Sequence, residues 1–256
     1  PPTQETAMNP TVDTLLGHRT CRRFKAGLTM PPEHLQTIID CARRAPSWMN
    51  GQHYTIINIT APELRAQITA LQPANPQIGT CSTYLVFVAD LHRAGLCSRA
   101  YHGTFSAAGD PDSLITAVTD TALAAQNAAT AAESLGYATC YTGGIRSTAA
   151  ELVALLGLPP HTFPVFGLCI GTPDTEMPLK PRLPENTVYA ENRYPEEQTL
   201  SDGLEQYERT MTAFGEAREK FPYREKFARH YSSSYAPENL FLLKKLGWLT
   251  QTAPGR

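Results

Sequence analysis

An alanine-rich stretch in the middle of the chain is the feature that most constrains its fold. It predicts the longest helix of the protein, from Asp112 to Leu135, with Gly136 as the C-terminal cap. Small residues recur along one face of this helix at steps of three and four, so a second helix can approach it very closely. Two partners fit the face equally well, a helix of the same chain or a helix of a second subunit. The face comprises Val118, Ala122, Ala125, Ala129 and Ala132.

Helical and strand-like patterns alternate along the rest of the chain. Runs rich in β-branched or apolar residues predict strands at residues 54–59, 84–89, 138–141 and 163–170. The strand at residues 84–89 is apolar on both faces, which predicts a central position in the sheet. Further helices are predicted at residues 31–45, 62–71, 149–156, 200–214 and 239–246. This interleaving alone favours an α/β protein. No strand, however, is followed by the glycine-rich loop of a dinucleotide-binding fold or a P-loop enzyme, so a bound phosphate would have to be held by side chains.

The ends and one internal segment lack apolar periodicity. Residues 1–10 are predicted to be a flexible arm, and residues 11–256 a single domain with a helical C-terminal segment. Within that domain, residues 173–195 contain five prolines and should run extended. An arm that embraces another subunit would explain such a segment. A charged, aromatic stretch at residues 216–235 separates the last two predicted helices.

The composition excludes several classes of protein. The chain has 256 residues, of which 42% are hydrophobic and 18% are charged, as is typical of a soluble globular protein with a large core. Its net charge of -2 would not attract nucleic acid, and no apolar run is long enough to span a membrane. The six cysteines show no CxxC spacing and the seven histidines form no Cys/His cluster. We therefore expect reduced thiols, no metal site and a cytoplasmic location.

Two short basic runs stand out from this mildly acidic background. The first reads GHRTCRRF, and the second, well past the middle of the chain, reads LKPRLP. In a helical turn His18 and Arg22 would share one face, and in an extended segment Lys180 and Arg182 would project from the same side. Arginine suits a phosphate because its planar guanidinium donates two parallel, charge-assisted hydrogen bonds. Each run alone could equally be a solvated turn, but together they predict a site for a phosphate and a second anionic group.

Two further segments could contact a flat ligand. The loop from Pro46 to Gln52 places small polar side chains just after a helix. The segment from Tyr141 to Gly144 ends a strand with paired glycines, which let backbone amides approach a ligand closely. Each segment is also compatible with an ordinary loop or turn. Because no GxSxG motif or other nucleophile with its base is evident, we expect the chemistry to reside in a cofactor with its own reactive centre.

Taken in order, these segments resemble the nitroreductase family of FMN enzymes, in particular its NADPH-dependent flavin reductase and oxygen-insensitive nitroreductase branch. The opening GHRTCRRF is similar to that branch's GHRSxRxF, and FPVFGLCIGTPDTEMPLKPRLP is very close to its LFGLCxGxP…LKPRLP run. ARRAPSWMNGQ and TALAAQNAATAAESLGYATCYTGGIR support the resemblance, which extends from about Thr11 to Trp248. It implies an α+β protein whose central, mainly antiparallel sheet is flanked by helices and whose C-terminal extension embraces a partner subunit.

The resemblance also implies that FMN binds at the interface of a homodimer. The first basic run would hold the FMN phosphate and part of the ring edge. The loop with Ser47, the loop with Asn75 and Gln77 after the helix predicted at residues 62–71, and the glycine pair would contact the flavin. Lys180 and Arg182 would face the N1/O2 side and the phosphate, where the Lys180 charge favours the reduced, anionic flavin. The residues assigned to FMN are His18, Arg19, Thr20, Cys21, Arg22, Ser47, Asn75, Gln77, Tyr141, Thr142, Gly143, Gly144, Lys180 and Arg182.

The implied reaction is a ping-pong transfer of two electrons from NADPH through FMN to a nitroaromatic compound, a quinone or free flavin. No protein side chain is expected to act as proton donor. Arg146, Arg218 and Arg224 are the candidates for the NADPH 2′-phosphate, although residues 215–229 also fit a solvated charged loop. Trp48 and Met49 stand where small residues are usual in the family, which would alter the shape of the pocket.

Two alternatives to this function follow from the sequence. Within the same fold, the chain could be a dedicated flavin reductase or a dehalogenating or flavin-cleaving relative. Outside enzymes, the basic runs could bind RNA or another anionic partner. A sequence pI near 6.4 and the lack of aromatic residues interleaved on a basic face argue against this second alternative.

Overall fold

An antiparallel sheet forms the centre of the larger part of the protein. Its strands are β1 Tyr54–Asn58, β2 Thr83–Asp90, β3 Ala138–Thr142 and β4 Thr162–Gly171. In the computed structural model, which describes residues 9–216 and 218–251, their order is β1-β2-β4-β3 and each neighbouring pair is antiparallel. The α+β class implied by the resemblance is confirmed, and the α/β class favoured by interleaving alone is wrong.

Helices precede, follow and connect these strands. They are α1 Pro10–Leu16, α2 Pro32–Arg43, α3 Pro62–Leu71, α4 Gln77–Thr80, α5 His92–Ala100, α6 Pro111–Ser134, α7 Ala149–Leu155, α8 Glu185–Val188, α9 Glu197–Phe214, α10 Tyr223–His230 and α11 Asn239–Lys245. Short 3-10 helices cover Trp48–Asn50, Ser106–Gly109 and Gly143–Thr148. The described residues fall into two compact units, one of residues 9–177 and 238–251 and one of residues 178–216 and 218–237.

Strand β2 is buried along its whole length because both faces of the sheet are covered. Leu85 and Phe87 point to the face on which α2 and α6 pack. Val86 and Val88 point to the opposite face, where they join an apolar cluster with residues of α3, α4 and α7. The alternation follows from the two-residue period of a strand. The central position predicted for this segment is confirmed.

The alanine face of α6 packs within the chain. Ala125, Ala129 and Ala132 are buried together with Ile38 and Ala42 of α2. Small side chains on both helices allow their backbones to come close, as the sequence predicted for one of the two possible partners. Ala122 of the predicted face is exposed and lies outside this contact.

Several short helices are not predicted by the sequence. The segment predicted to run extended at residues 173–195 contains α8, and the charged stretch at residues 216–235 contains α10. Of the predicted N-terminal arm, residues 1–8 lie outside the described residues. Pro10 already begins α1, and Asn9 caps that helix by accepting hydrogen bonds from the N–H groups of Thr11 and Val12 at 3.1 Å.

The six cysteines, all within the described residues, form no disulfide bond. Cys81, Cys140 and Cys169 are buried, and Cys41 is partly buried. Within residues 9–216 and 218–251, no group of His, Cys, Asp and Glu side chains is arranged to hold a metal ion. Over the same residues, every helix is too short or too polar to traverse a bilayer.

Candidate functional site

The first basic run lies against the strand that ends in the glycine pair. Thr20 forms a parallel bridge with Thr139 of β3, and the N–H of Cys21 donates to the Thr139 carbonyl at 2.8 Å. A second bridge joins Phe24 to Pro173. These pairings hold the run extended, so the predicted helical turn with His18 and Arg22 on one face is wrong. The structure nevertheless brings together two of the predicted site segments, which lie far apart in the sequence.

The three arginines of this run differ in whether their charge is already paired. The Arg23 guanidinium lies 3.5 Å from the Asp174 carboxylate. Arg19 is exposed and donates to the Gly17 carbonyl at 3.2 Å, while Arg22 is partly buried. Within the described part of the chain, neither Arg19 nor Arg22 forms an ion pair. Both guanidinium groups can therefore receive an anion.

Arg19 and Arg22 differ in their surroundings. Arg19 lines a cavity of about 330 Å³ together with Asp13, Glu133 and Glu176. Three carboxylates beside one guanidinium make that cavity unfavourable for a phosphate. Arg22 does not line it. Of the two, Arg22 is thus the better placed for an anionic ligand.

Glu133, an acidic residue that is not among the predicted site residues, holds His18 in place. The Nδ1 atom of His18 lies 2.8 Å from Oε1 of Glu133 in α6, and the Thr139 hydroxyl donates to the same oxygen at 2.6 Å. The pair fixes the imidazole ring and leaves Nε2 as the ring atom that can face a ligand.

Cys21 has a core position instead of a site position. It is 1% exposed, its Sγ donates to the Arg23 carbonyl at 3.1 Å, and its N–H is taken by Thr139. Burial raises the pKa of the Cys21 thiol. The Cys21 thiol thus packs in the core, whereas its neighbour Thr20 is partly buried and lies beside β3.

The polar loop after α2 is held by a buried carboxylate, Asp120 of α6. Asp120 accepts hydrogen bonds from the backbone N–H groups of Trp48 at 3.0 Å and His53 at 3.2 Å, and its Oδ2 lies 2.8 Å from Nδ1 of His53. Ser47 accepts a hydrogen bond from the Gln52 N–H at 3.1 Å. In the sequence, Asp120 could have been recognised as a polar residue among the alanines of a buried helix face.

The same loop is conformationally strained and apolar at its tip. Met49, Asn50 and Gln52 adopt positive φ angles of 53°, 55° and 51°, which side-chain-bearing residues seldom occupy. Trp48 is 65% exposed and Met49 is 85% exposed. Two large apolar side chains are thus presented on a backbone that Asp120 fixes.

Two predicted ring contacts point into the protein. Gln77 begins α4 and is buried, and its Nε2 donates to Asn75 Oδ1 at 3.1 Å and to Cys140 Sγ at 3.5 Å. Asn75 remains partly buried. Gln77 therefore ties the loop before α4 to strand β3.

The end of β3 carries one side chain toward the surface and one toward the core. Tyr141 is partly buried, its ring packs edge-on against Phe166 at 5.3 Å, and burial raises the pKa of its hydroxyl. The Thr142 hydroxyl lies 3.0 Å from the Tyr84 hydroxyl inside the core. The Gly143–Thr148 segment then turns in a 3-10 helix that includes Gly144.

Arg146 has a structural position. Its Nη1 donates to the Val165 carbonyl of β4 at 2.9 Å, and its own carbonyl accepts from Asn239 at 2.9 Å. A Cβ atom added to Gly143 would lie 3.2 Å from the Arg146 guanidinium, so the turn is closed by this side chain. These contacts tie Arg146 to β4 and α11, and its binding of the NADPH 2′-phosphate stays a prediction.

The second basic run belongs to the smaller unit. Lys180 forms an ion pair with Glu216, and Arg182 is exposed and donates to the Lys180 carbonyl at 2.8 Å. The Tyr207 hydroxyl donates to the Pro181 carbonyl at 2.9 Å and so anchors the run on α9. Lys180 therefore has a carboxylate partner that the sequence did not predict.

The two other predicted NADPH contacts in this unit are unequal. Arg224 is bound by Glu208, which accepts from its Nη2 at 2.8 Å, its Nε at 3.1 Å and its backbone N–H at 2.9 Å. This contact lowers the pKa of Glu208 and raises the pKa of Arg224. Arg218 is exposed and takes part in no ion pair within the described residues. Arg218 is thus the freer of the two charges.

Two family models and several known proteins match this chain. The model described as the nitroreductase family matches residues 15–172, and that described as its C-terminal domain matches residues 180–251. The oxygen-insensitive NADPH nitroreductase of Salmonella typhimurium is 35% identical over 250 residues, which cover 95% of this chain and 100% of that protein. The NADPH-flavin oxidoreductase of Vibrio harveyi is 36% identical over 207 residues, covering 81% and 83%.

A solved structure extends the similarity to the fold. The NADPH:FMN oxidoreductase from Vibrio harveyi, solved as a complex with NAD+, superposes with a TM-score of 0.85 at 30% identity. The superposition covers 95% of this chain and 100% of that one. Sequence and backbone thus agree over nearly the whole length.

Proposed function

The chain belongs to the nitroreductase family, and from that membership we propose that it is an FMN-dependent oxidoreductase which uses NADPH to reduce nitroaromatic compounds, quinones or free flavin. Relatives at 35% and 36% identity carry the names of an NADPH nitroreductase and an NADPH-flavin oxidoreductase. The observation that carries the proposal is the pairing of the first basic run with β3. It puts Arg22, which forms no ion pair within residues 9–216 and 218–251, near the strand that leads to the glycine pair.

The residues around that pairing fit a phosphorylated, flat cofactor. Arg22 supplies an uncompensated guanidinium for a phosphate, and His18 supplies a ring nitrogen held in place by Glu133. Gly143 and Gly144 have no side chains, so the backbone of this turn can lie close to a ring. When bound, FMN supplies the two-electron chemistry. The proposal therefore requires no protein nucleophile with its base.

In this proposal, protein groups around the ring position the reactants. None of them has to transfer a proton. Tyr141 stays protonated because burial raises the pKa of its hydroxyl, so it offers a neutral donor. Ser47, on the loop fixed by Asp120, contributes a second polar contact. Asn75 lies on the loop before α4, which Gln77 anchors to β3.

We propose that Lys180 and Arg182 contact FMN, with Lys180 beside the N1/O2 edge of the flavin. In the structure Lys180 is paired with Glu216, which sets the charge at this position. The Glu216 carboxylate therefore competes with the flavin for the lysine. Glu216→Gln should therefore tighten FMN binding, measured as Kd by flavin fluorescence, because the lysine loses its competing carboxylate. Glu205→Gln, which removes an exposed carboxylate paired with Arg209 on α9, is the matched control. Equal effects of the two variants would reject the assignment.

For the NADPH 2′-phosphate, we propose Arg218 in preference to Arg224, since Arg224 is already bound by Glu208. Arg218→Ala should raise KM for NADPH by about tenfold and leave KM for NADH unchanged, as expected for one lost charge-assisted contact. Arg224→Ala should raise KM for NADPH less. A parallel rise of both KM values in Arg218→Ala would remove this assignment.

We also propose that residues 11–256 act as one FMN-binding domain in a cytoplasmic homodimer. Apolar side chains on the outward face of α6, Ile115 at 62% and Leu123 at 40% exposure, support a subunit contact. Free thiols support a reducing compartment. Light scattering of the FMN-bound protein should give twice the chain mass, and a monomer that retains FMN would contradict the dimer.

The activity itself is tested with the purified, FMN-loaded protein. NADPH should be oxidised in the presence of a nitroaromatic compound, a quinone or free FMN, with parallel lines in double-reciprocal plots at varied NADPH concentrations. Parallel lines are the kinetic pattern of a ping-pong reaction. If the loaded protein oxidises NADPH with none of these acceptors, the proposed function is wrong.

A further inference from the structure

An arginine outside the predicted site holds the end of the polar loop that follows α2. The Nη2 atom of Arg93 donates to the carbonyl of Gln52, the last residue of that loop, and to the Tyr54 carbonyl at 2.7 Å. Its Nη1 atom donates to the Thr55 hydroxyl at 2.7 Å and to Asp90 Oδ2 at 2.9 Å. One planar guanidinium therefore ties the end of the loop to β1 and β2.

A buried carboxylate fixes this guanidinium in its orientation. Asp90, the last residue of β2, is buried and accepts hydrogen bonds from Arg93, from the Thr55 hydroxyl and from the backbone N–H of His92 at 2.8 Å. Arg93 is the second residue of α5, where the helix dipole disfavours a positive charge. Its contacts with the loop and the sheet, and not the helix itself, therefore account for an arginine at this position.

The loop needs such contacts because its backbone is strained. Met49, Asn50 and Gln52 all have positive φ angles, and residues in this region keep their conformation only where surrounding contacts enforce it. Asp120 of α6 accepts a hydrogen bond from a backbone N–H of the loop, whereas Arg93 of α5 donates to a carbonyl at its end. Side chains of two different helices thus hold the two kinds of backbone group.

The backbone of Gln52 connects Arg93 to the Ser47 hydroxyl. The carbonyl of Gln52 accepts from Arg93, and its N–H donates to Ser47 Oγ at 3.1 Å. Within residues 9–216 and 218–251, the Ser47 hydroxyl donates no hydrogen bond. A serine oxygen that accepts one hydrogen bond can still donate its own O–H. The loop therefore leaves that O–H for a group outside the chain.

We propose that Arg93 is a positioning residue for FMN binding. It fixes the backbone of Gln52 and, through that backbone, the Ser47 hydroxyl, which donates its O–H to an acceptor atom of the flavin. This inference rests on the proposed function, in which Ser47 contacts FMN. The charge of Arg93 is already compensated by Asp90, so its effect on the flavin passes through the loop. Arg93 should therefore affect FMN binding only while Ser47 is present.

A double-mutant cycle on the purified full-length protein tests this dependence, with the Kd for FMN measured by flavin fluorescence. Arg93→Ala and Ser47→Ala should each raise the Kd by about three- to tenfold, as expected for one lost neutral hydrogen bond. The double variant should have the Kd of Ser47→Ala alone, because the two residues act as a unit. An unchanged Kd in Arg93→Ala would overturn the proposal. It would also be overturned if the two fold-changes multiplied in the double variant.

Arg99→Ala is the matched control, because it removes an exposed arginine at the other end of α5. It should leave the Kd for FMN within about twofold of the wild-type value, and a rise as large as that of Arg93→Ala would reject the assignment. If Arg93→Ala does not fold, Arg93→Lys takes its place in the cycle. A lysine keeps a positive charge beside Asp90 but lacks the planar fork that reaches the two carbonyls.

Hydrogen exchange of the FMN-free protein separates this inference from the proposed function. The peptide that covers residues 47–54 should exchange its amide hydrogens at least about threefold faster in Arg93→Ala than in the wild type, because the loop loses one of its two supports. Unchanged exchange would overturn the inference and leave the proposed function standing. A wild-type protein that binds no FMN would overturn both.

Discussion

Replacing Arg22 and its neighbour Arg23 separately by alanine tests the proposed phosphate contact. The two side chains differ by one residue in position, but only Arg23 has a carboxylate partner, Asp174 at 3.5 Å. That pair is 69% and 46% exposed, so it contributes about 0–1 kcal/mol. Arg22 is partly buried and unpaired within the described residues, so its charge is less screened and free for a ligand.

The size of the expected effect follows from the kind of bond lost. A hydrogen bond between charged groups contributes about 1.5–3 kcal/mol, so Arg22→Ala should raise the Kd for FMN by roughly 10- to 100-fold. Arg23→Ala should raise it less than about threefold, since its charge is already compensated.

The assay is a titration of apoprotein with FMN, followed by quenching of flavin fluorescence. Circular dichroism and the thermal midpoint of both variants show whether each is folded. The reasoning would be refuted if Arg23→Ala weakened FMN binding as much as Arg22→Ala did. It would equally be refuted if Arg22→Ala kept the wild-type Kd.

Three further predictions concern stability. Asp120→Ala should lower the free energy of unfolding by about 1–3 kcal/mol, because the N–H groups of Trp48 and His53 lose their buried acceptor, whereas the exposed Asp112→Ala on the same helix should cost less than about 1 kcal/mol in urea titrations. His161, whose pKa burial lowers, should make the protein less stable as pH falls below about 6.5, since the unfolded chain takes up the proton first; His161→Gln should flatten this dependence between pH 5.5 and 7.5. Gly167→Ala should lower the thermal midpoint, because its Cβ would lie 2.1 Å from the Tyr84 hydroxyl, whereas Gly136→Ala should act through backbone strain alone, as nothing lies within 4 Å.

The sequence predicted elements best where local and tertiary preferences agree. Pro62 and the apolar spacing after it predicted α3 with its observed bounds, and the all-apolar run of β2 predicted a central strand. Short helices without buried residues, such as Pro10–Leu16 and Tyr223–His230, were missed because so few apolar residues give only a weak helical period. The run from His18 to Arg22 was assigned a helical turn because its bridge to Thr139 is a long-range contact.

The site shows the same division. The sequence identified basic residues by their chemistry, but it could not show which charges are already compensated. Glu208 pairs with Arg224, and Glu216 pairs with Lys180. Local spacing in the sequence does not predict these tertiary contacts. Cys21 and Gln77 have polar or reactive side chains, yet the sheet buries them. Pairing and burial are properties of the folded chain, so they refine the predicted set only after the fold is known.

Anaerobic absorbance spectroscopy of the purified protein tests the central claim most directly. The protein is mixed with FMN, freed of unbound flavin by gel filtration and titrated with NADPH. We predict that flavin absorbance elutes with the protein at about one FMN per chain and is bleached by about one equivalent of NADPH, as a two-electron transfer requires. A protein peak without flavin absorbance, or retained flavin that NADPH does not bleach, would contradict the account.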